Sequence, residues 1–219
     1  MKTVFSIALC LWVTIFMHPQ KALASIQSRV ETMVCSLIDE QFPDLRKSET
    51  PHADHCSLKS ISIYHIEVSP YIHPDHLMST LTWGTSKDAR KRYFRIQYHP
   101  KRFNEIAPTD SALKAALVHQ LFHILEWSQS KNRIPVGYRS DQKISGKSAS
   151  SLKSKNQQTQ KERRIDCLTI NLIGSEGLSD YYAWAGTFVS SDEINQIHLP
   201  MDLIADQSLP MNCEQFNSP

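Results

Sequence analysis

Beyond its first 24 residues the chain has no apolar run long enough to cross a bilayer, so residues 25–219 are expected to be soluble and without a membrane partner. They also lack an excess of charge. Of the 24 Lys and Arg, Lys2 and Lys21 lie in the first 24 residues, and the 22 that remain face 22 Asp and Glu. A nucleic-acid partner calls for a strong basic field. The only local one, residues 87–102, reads as a solvated strand edge. No two cysteines are close in sequence, which argues against a Cys-ligated metal site. There is no internal repeat.

What is present begins with "MKTVFSIALCLWVTIFMHPQKALA", residues 1–24: a lysine, an apolar core from Val4 to Met17, and Ala-Leu-Ala at the end. That layout is expected of a secretory signal peptide cleaved after Ala24, with an uncleaved anchor helix as the alternative. An exported chain is expected in the periplasm or outside the cell, where disulfides persist. Cys35, Cys56, Cys167 and Cys213 then make an even set, and pairing neighbours along the chain gives Cys35–Cys56 and Cys167–Cys213. The remaining residues, 25–219, suit one domain with a real core.

Helical spacing of Ile26, Val30, Met33, Val34, Leu37 and Ile38 opens that domain. A polar stretch follows, then two β-rich runs, residues 60–68 and 92–100, are expected to be strands. In the second, Phe94, Ile96 and Tyr98 share one side, and Pro100 ends it. The segment between, residues 69–89, reads as a loop or a short helix. "APTD" sets up a helix capped by Thr109 or Asp110 and running to about Trp127. Residues 129–158 are mostly Ser, Lys and Gln, with too little apolar surface to order themselves, and are expected to form a mobile loop. Helices are expected again from "TQKERRIDCLTINLIG" onward, with Gly174 as a stop and Pro200 as a break.

Chemistry concentrates in "AALVHQLFHILEW" (residues 115–127). Side chains four apart on a helix lie one turn above each other, so His119 and His123 project together and can grip one divalent ion. The alternative is a buried helix whose histidines are satisfied by protein partners. Three neighbouring features favour the metal. The helix is apolar around the pair; a strand and a capped helix precede it; and "ERRID" follows, with Glu162 and Asp166 four apart on one face. For that second pair the alternative is a solvated face of i to i+4 ion pairs with Lys161, Arg163 and Arg164.

The histidine pair with the downstream E-x-x-x-D resembles the gluzincin metallopeptidases, and within them the CAAX-type and heat-shock membrane proteases. The resemblance covers roughly residues 93–174. It implies an α+β, zincin-like domain, a bound Zn2+ with His119, His123 and Glu162 as ligands, and Asp166 as the acceptor that orients a ligand histidine. A peptide or protein is the implied substrate or ligand.

One position departs from the family. The residue after the first histidine is there the glutamate that takes the proton of the zinc-bound water; here it is Gln120. An amide cannot accept that proton near neutral pH, and losing a positioned base costs on the order of 10²–10⁴ in rate. Metal ligation is expected to survive and hydrolysis to be impaired, which leaves open an inactive secreted protein that keeps a peptide cleft. Glu126, about 10 Å along the helix from His119, reads as a helix-end carboxylate, and Glu176 is weaker still as a substitute. His52, His55, His73 and His76 fall in polar loops and read as surface residues. Trp184, Tyr181 and Tyr182 read as core packing, and Tyr138 as an exposed side chain.

Overall fold

The computed structural model describes residues 26–45, 65–70, 77–82, 93–129, 149–205 and 212–216. Cys10, Cys56, His52, His55, His73, His76, Tyr138 and residues 1–24 lie outside them, as does residues 130–148 of the expected loop. The described part is mixed and rich in helix, with one small sheet.

Helix α1 covers residues 26–41 and buries Val30, Val34, Leu37 and Ile38 at 3–4 residue spacing. Arg29 on its outer side ties it to the start of the histidine helix, donating to Asp110 Oδ1 at 2.5 Å and to the Pro108 carbonyl at 2.9 Å.

The sheet has three strands: β1 (His65–Pro70), β2 (Met78–Thr82) and β3 (Tyr93–Tyr98). β3 is central, parallel to β1 and antiparallel to β2. Phe94, Ile96 and Tyr98 alternate into the core at no more than 1% exposure, and Arg95 on the other face pairs with Glu67 of β1 at 2.8 Å. In β1 the buried residues are Ile66 and Val68.

β2 corrects the expectation of a loop or short helix over residues 69–89. Its interior positions Ser79 and Thr80 are buried but polar. They satisfy hydrogen bonds instead of marking an apolar face, so the alternation that signals a strand is missing.

Pro100–Glu105 forms α2, capped by His99, whose Nδ1 accepts from the Arg102 N–H. α3 spans Asp110–Gln129, and Thr109 caps it through a 3.1 Å bond from the Ala112 N–H. Its buried residues point in all directions, as expected of a central helix. α4 spans Ala149–Ile173, α5 Ser175–Ala185, α6 Ser191–Ile197 and α7 Met201–Ala205. α4 therefore corrects the mobile loop at residues 129–158: residues 149–158 are helical. A polar stretch needs no core of its own when it continues a helix whose later turns are packed.

Gly174, at φ 86°, adopts the left-handed conformation that joins α4 to α5. Gly177 keeps the α4–α5 junction tight, since a Cβ there would come within 3.2 Å of the Ile173 side chain of α4, while Ala115 of α3 lies at ordinary contact distance, 3.7 Å. Cys167 of α4 is bonded to Cys213, fastening the C-terminal turn Cys213–Phe216 to the helix. Cys35 is disulfide-bonded as well; its expected partner, Cys56, lies outside the described residues. No helix among the described residues is long and apolar enough to cross a membrane.

Candidate metal centre

α3 and α4 pack against each other, and each presents its pair of side chains four residues apart to the other. Nε2 of His119, Nε2 of His123 and Oε2 of Glu162 form a triangle with all three sides 3.1 Å. The residues are 4%, 1% and 4% exposed. Two ring nitrogens facing each other and one carboxylate oxygen at that distance repel unless a proton or a cation lies among them. Donor atoms around a tetrahedral ion with bonds of about 2.0–2.1 Å stand about 3.3 Å apart, close to the triangle observed. These residues can hold a metal ion.

Each corner has a support behind it. Oδ1 of Asp166 lies 3.0 Å from His119 Nδ1, on the side of the ring away from the triangle. Glu162 keeps Oε2 for the triangle because its Oε1 accepts from Gln158 Nε2. The ring of Trp127 lies beside that of His123, with centroids 5.7 Å apart, and Lys161 caps the indole at 5.1 Å.

Asp166 is fully buried, and its second oxygen is also used. Oδ2 accepts from the Leu199 N–H at 2.9 Å and faces His198 Nδ1 at 3.2 Å. Arg163 holds the same segment from the next position on α4, donating to the His198 carbonyl at 3.2 Å and the Asn195 carbonyl at 3.4 Å. His119, Asp166 and His198 thus form a second grouping of metal-type donors that shares His119 with the first.

The electrostatics follow from this crowding. Burial alone lowers the pKa of His119, but the Asp166 and Glu162 carboxylates outweigh it and raise the value to about 9. For His123 burial prevails and the pKa is lowered. Burial raises the carboxyls of Glu162 and Asp166, but the histidines around them win, and both are held well below the usual carboxylate range. Burial, then the Asp166 charge, pushes the phenols of Tyr181 and Tyr182 upward.

Gln120 is 5% exposed, and its Oε1 accepts from Thr80 Oγ1 of β2 at 2.8 Å. The side chain that would be the base in the family pattern links the histidine helix to an edge strand. Glu126 is held by Arg164 at 2.5 Å and Lys161 at 3.5 Å, and Glu176 is exposed in the first turn of α5. Trp184 is buried and donates to the Ile106 carbonyl at 2.7 Å, whereas Tyr182 packs its ring 5.5 Å from that of His198 and so lines the centre too.

Sequence reasoning missed His198, Gln158 and Thr80. His198 stands alone in "QIHLPM" with no partner at motif spacing. Gln158 was hidden in a polar run, though it stands four residues before Glu162, where a helix would align them.

Comparison of the chain with protein families, with curated proteins and with solved structures finds no match.

Proposed function

We propose that the chain is a zinc-binding protein of the gluzincin metallopeptidase type, with a zincin-like fold, exported to the periplasm or beyond. The observation that carries this is the 3.1 Å triangle of His119, His123 and Glu162 with Asp166 behind His119. Two imidazoles and a carboxylate suit zinc better than the hard cations magnesium and calcium, which prefer all-oxygen sites. Zinc held there would supply Lewis-acid polarisation of a carbonyl and a more acidic water. The protein's part is to bind through the three donors and to fix the His119 ring through Asp166. A peptide is the ligand class, and β2 beside α3 is the strand along which it would lie.

A second function is favoured by one observation, the Thr80–Gln120 bond. With its amide used as a helix-to-sheet link, residue 120 does no proton transfer, and the chain would hold a peptide without cutting it.

Metal analysis of the purified chain tests the first proposal: about one zinc per chain is expected, lost in His119→Ala. A chain that neither carries nor takes up metal defeats it. Hydrolysis of a labelled casein by the natural chain and by Gln120→Glu separates the two functions. Cleavage in the Glu variant alone supports the peptide-holding protein; cleavage by both supports the peptidase.

A further inference from the structure

Resting on the zinc centre proposed above, we infer that Gln158 is a positioning residue that sets its coordination number and metal preference. Its amide holds Glu162 to ligation through one oxygen, which keeps a position at the ion open to a ligand from solvent.

Gln158 and Glu162 stand four apart on α4, one turn above each other. A carboxylate only accepts, so the bond between them fixes the amide, with Nε2 donating to Glu162 Oε1. The other oxygen, Oε2, meets the histidines at 3.1 Å from Nε2 of His119 and of His123. The two oxygens of one side chain thus have separate tasks. Among the described residues no other group donates to Oε1. The cations beside Glu162 in sequence are engaged elsewhere, Lys161 on Glu126 and the Trp127 ring, Arg163 on the His198 carbonyl.

A carboxylate can meet an ion with one oxygen or with both. Hard cations readily take both and accept a crowded shell. Zinc with three protein ligands is four-coordinate, and the remaining position is where water or substrate sits. Glu162 is 4% exposed, so an Oε1 stripped of the amide would have little water to turn to. A buried charged oxygen without a partner is costly, and the nearest relief would be the ion itself. Glu162 would then ligate through both oxygens and close the open position. Asp166 sets the angle of one ligand, whereas Gln158 sets how many atoms another contributes. Gln158 is itself half-buried, so replacing it leaves the core intact.

The test loads the full chain with cobalt(II) in place of zinc, since its visible absorption weakens as ligands are added. Gln158→Met keeps the length of the side chain and removes the donor; Gln158→Ala removes both. In both variants the cobalt absorption should fall at least about twofold. The preference for zinc over manganese(II), read by competition, should narrow by about tenfold or more, because manganese favours an oxygen-rich shell. Gln157→Met, a change at the exposed neighbouring position, should match the natural chain in both readings. Circular dichroism should show all four chains equally helical. Unchanged cobalt absorption and metal preference in both Gln158 variants overturns the proposal. So does an equal loss of affinity for zinc, cobalt and manganese with the absorption per bound cobalt unchanged, which is the signature of a merely structural role. Either result arises in a natural chain that binds metal and leaves the zinc centre standing. A natural chain that takes neither zinc nor cobalt overturns the proposed function itself, and Gln158's part with it.

Discussion

Asp166 joins two histidines that are 79 positions apart in the sequence, meeting His119 Nδ1 at 3.0 Å with one oxygen and His198 Nδ1 at 3.2 Å with the other. It touches none of the three donor atoms of the triangle, yet the orientation of the His119 corner depends on it. Asp166→Asn keeps the shape and removes the charge. Zinc affinity should fall about 10–100-fold, the usual effect of losing an acceptor behind a ligand histidine. Competition with a chromophoric chelator reads this directly, and an unchanged affinity would show that His119 is oriented without it.

Acidity gives a second expectation. His119 has a folded pKa raised to about 9 from 6.5, so the metal-free folded chain binds more protons than the unfolded one between those values. Its contribution is complete below pH 6.5 and is lost as pH rises through 9, worth roughly 1–3 kcal/mol. His123, Glu162 and Asp166 have lowered values, so their share is lost as pH falls below 6.5 and then into the carboxylate range. Urea unfolding of the metal-free chain should therefore show stability declining from pH 6.5 to 9. Zinc must displace the His119 proton, so its affinity should rise over the same range, by up to about tenfold per pH unit. Zinc binding that is flat between pH 7 and 9 would contradict a protonated His119.

The link between Thr80 and Gln120 should be felt in stability. Thr80→Val removes the donor to a buried amide oxygen and should cost about 1–3 kcal/mol in chemical denaturation. Gln120→Glu keeps an acceptor for the same hydroxyl, so it should cost less than Thr80→Val. The reverse order would mean that the buried charge, not the hydrogen bond, decides this position.

The Cys167–Cys213 bond closes a loop of 46 residues directly after Asp166. By chain entropy, Cys213→Ser should lower stability by about 4 kcal/mol. Thermal unfolding of the natural chain and of Cys213→Ser measures it, and a change below about 1 kcal/mol would mean that the helix packing alone holds the C-terminal turn.

His119 with His123, and Glu162 with Asp166, stand out in the sequence because helical side-chain geometry is local: four residues make one turn wherever the helix packs. The four do lie together in the structure. β2 was illegible for the opposite reason, since buried Ser79 and Thr80 look like loop residues until their partners on another element are known. His198 reaches the centre through a contact across 32 residues with Asp166. No spacing rule connects them. The N-terminal turns of α4 look like loop by composition because the packed turns that carry them lie further along the chain.

Gln158, Glu162, Arg163 and Asp166 reach three different targets from a little over two turns of α4. That makes the helix behave like a key cut on one shank. A residue inserted between Glu162 and Asp166 rotates every later tooth by about 100° and parts the Glu162 corner from the Asp166 hinge. An insertion between residues 162 and 166 should therefore be fatal to the centre.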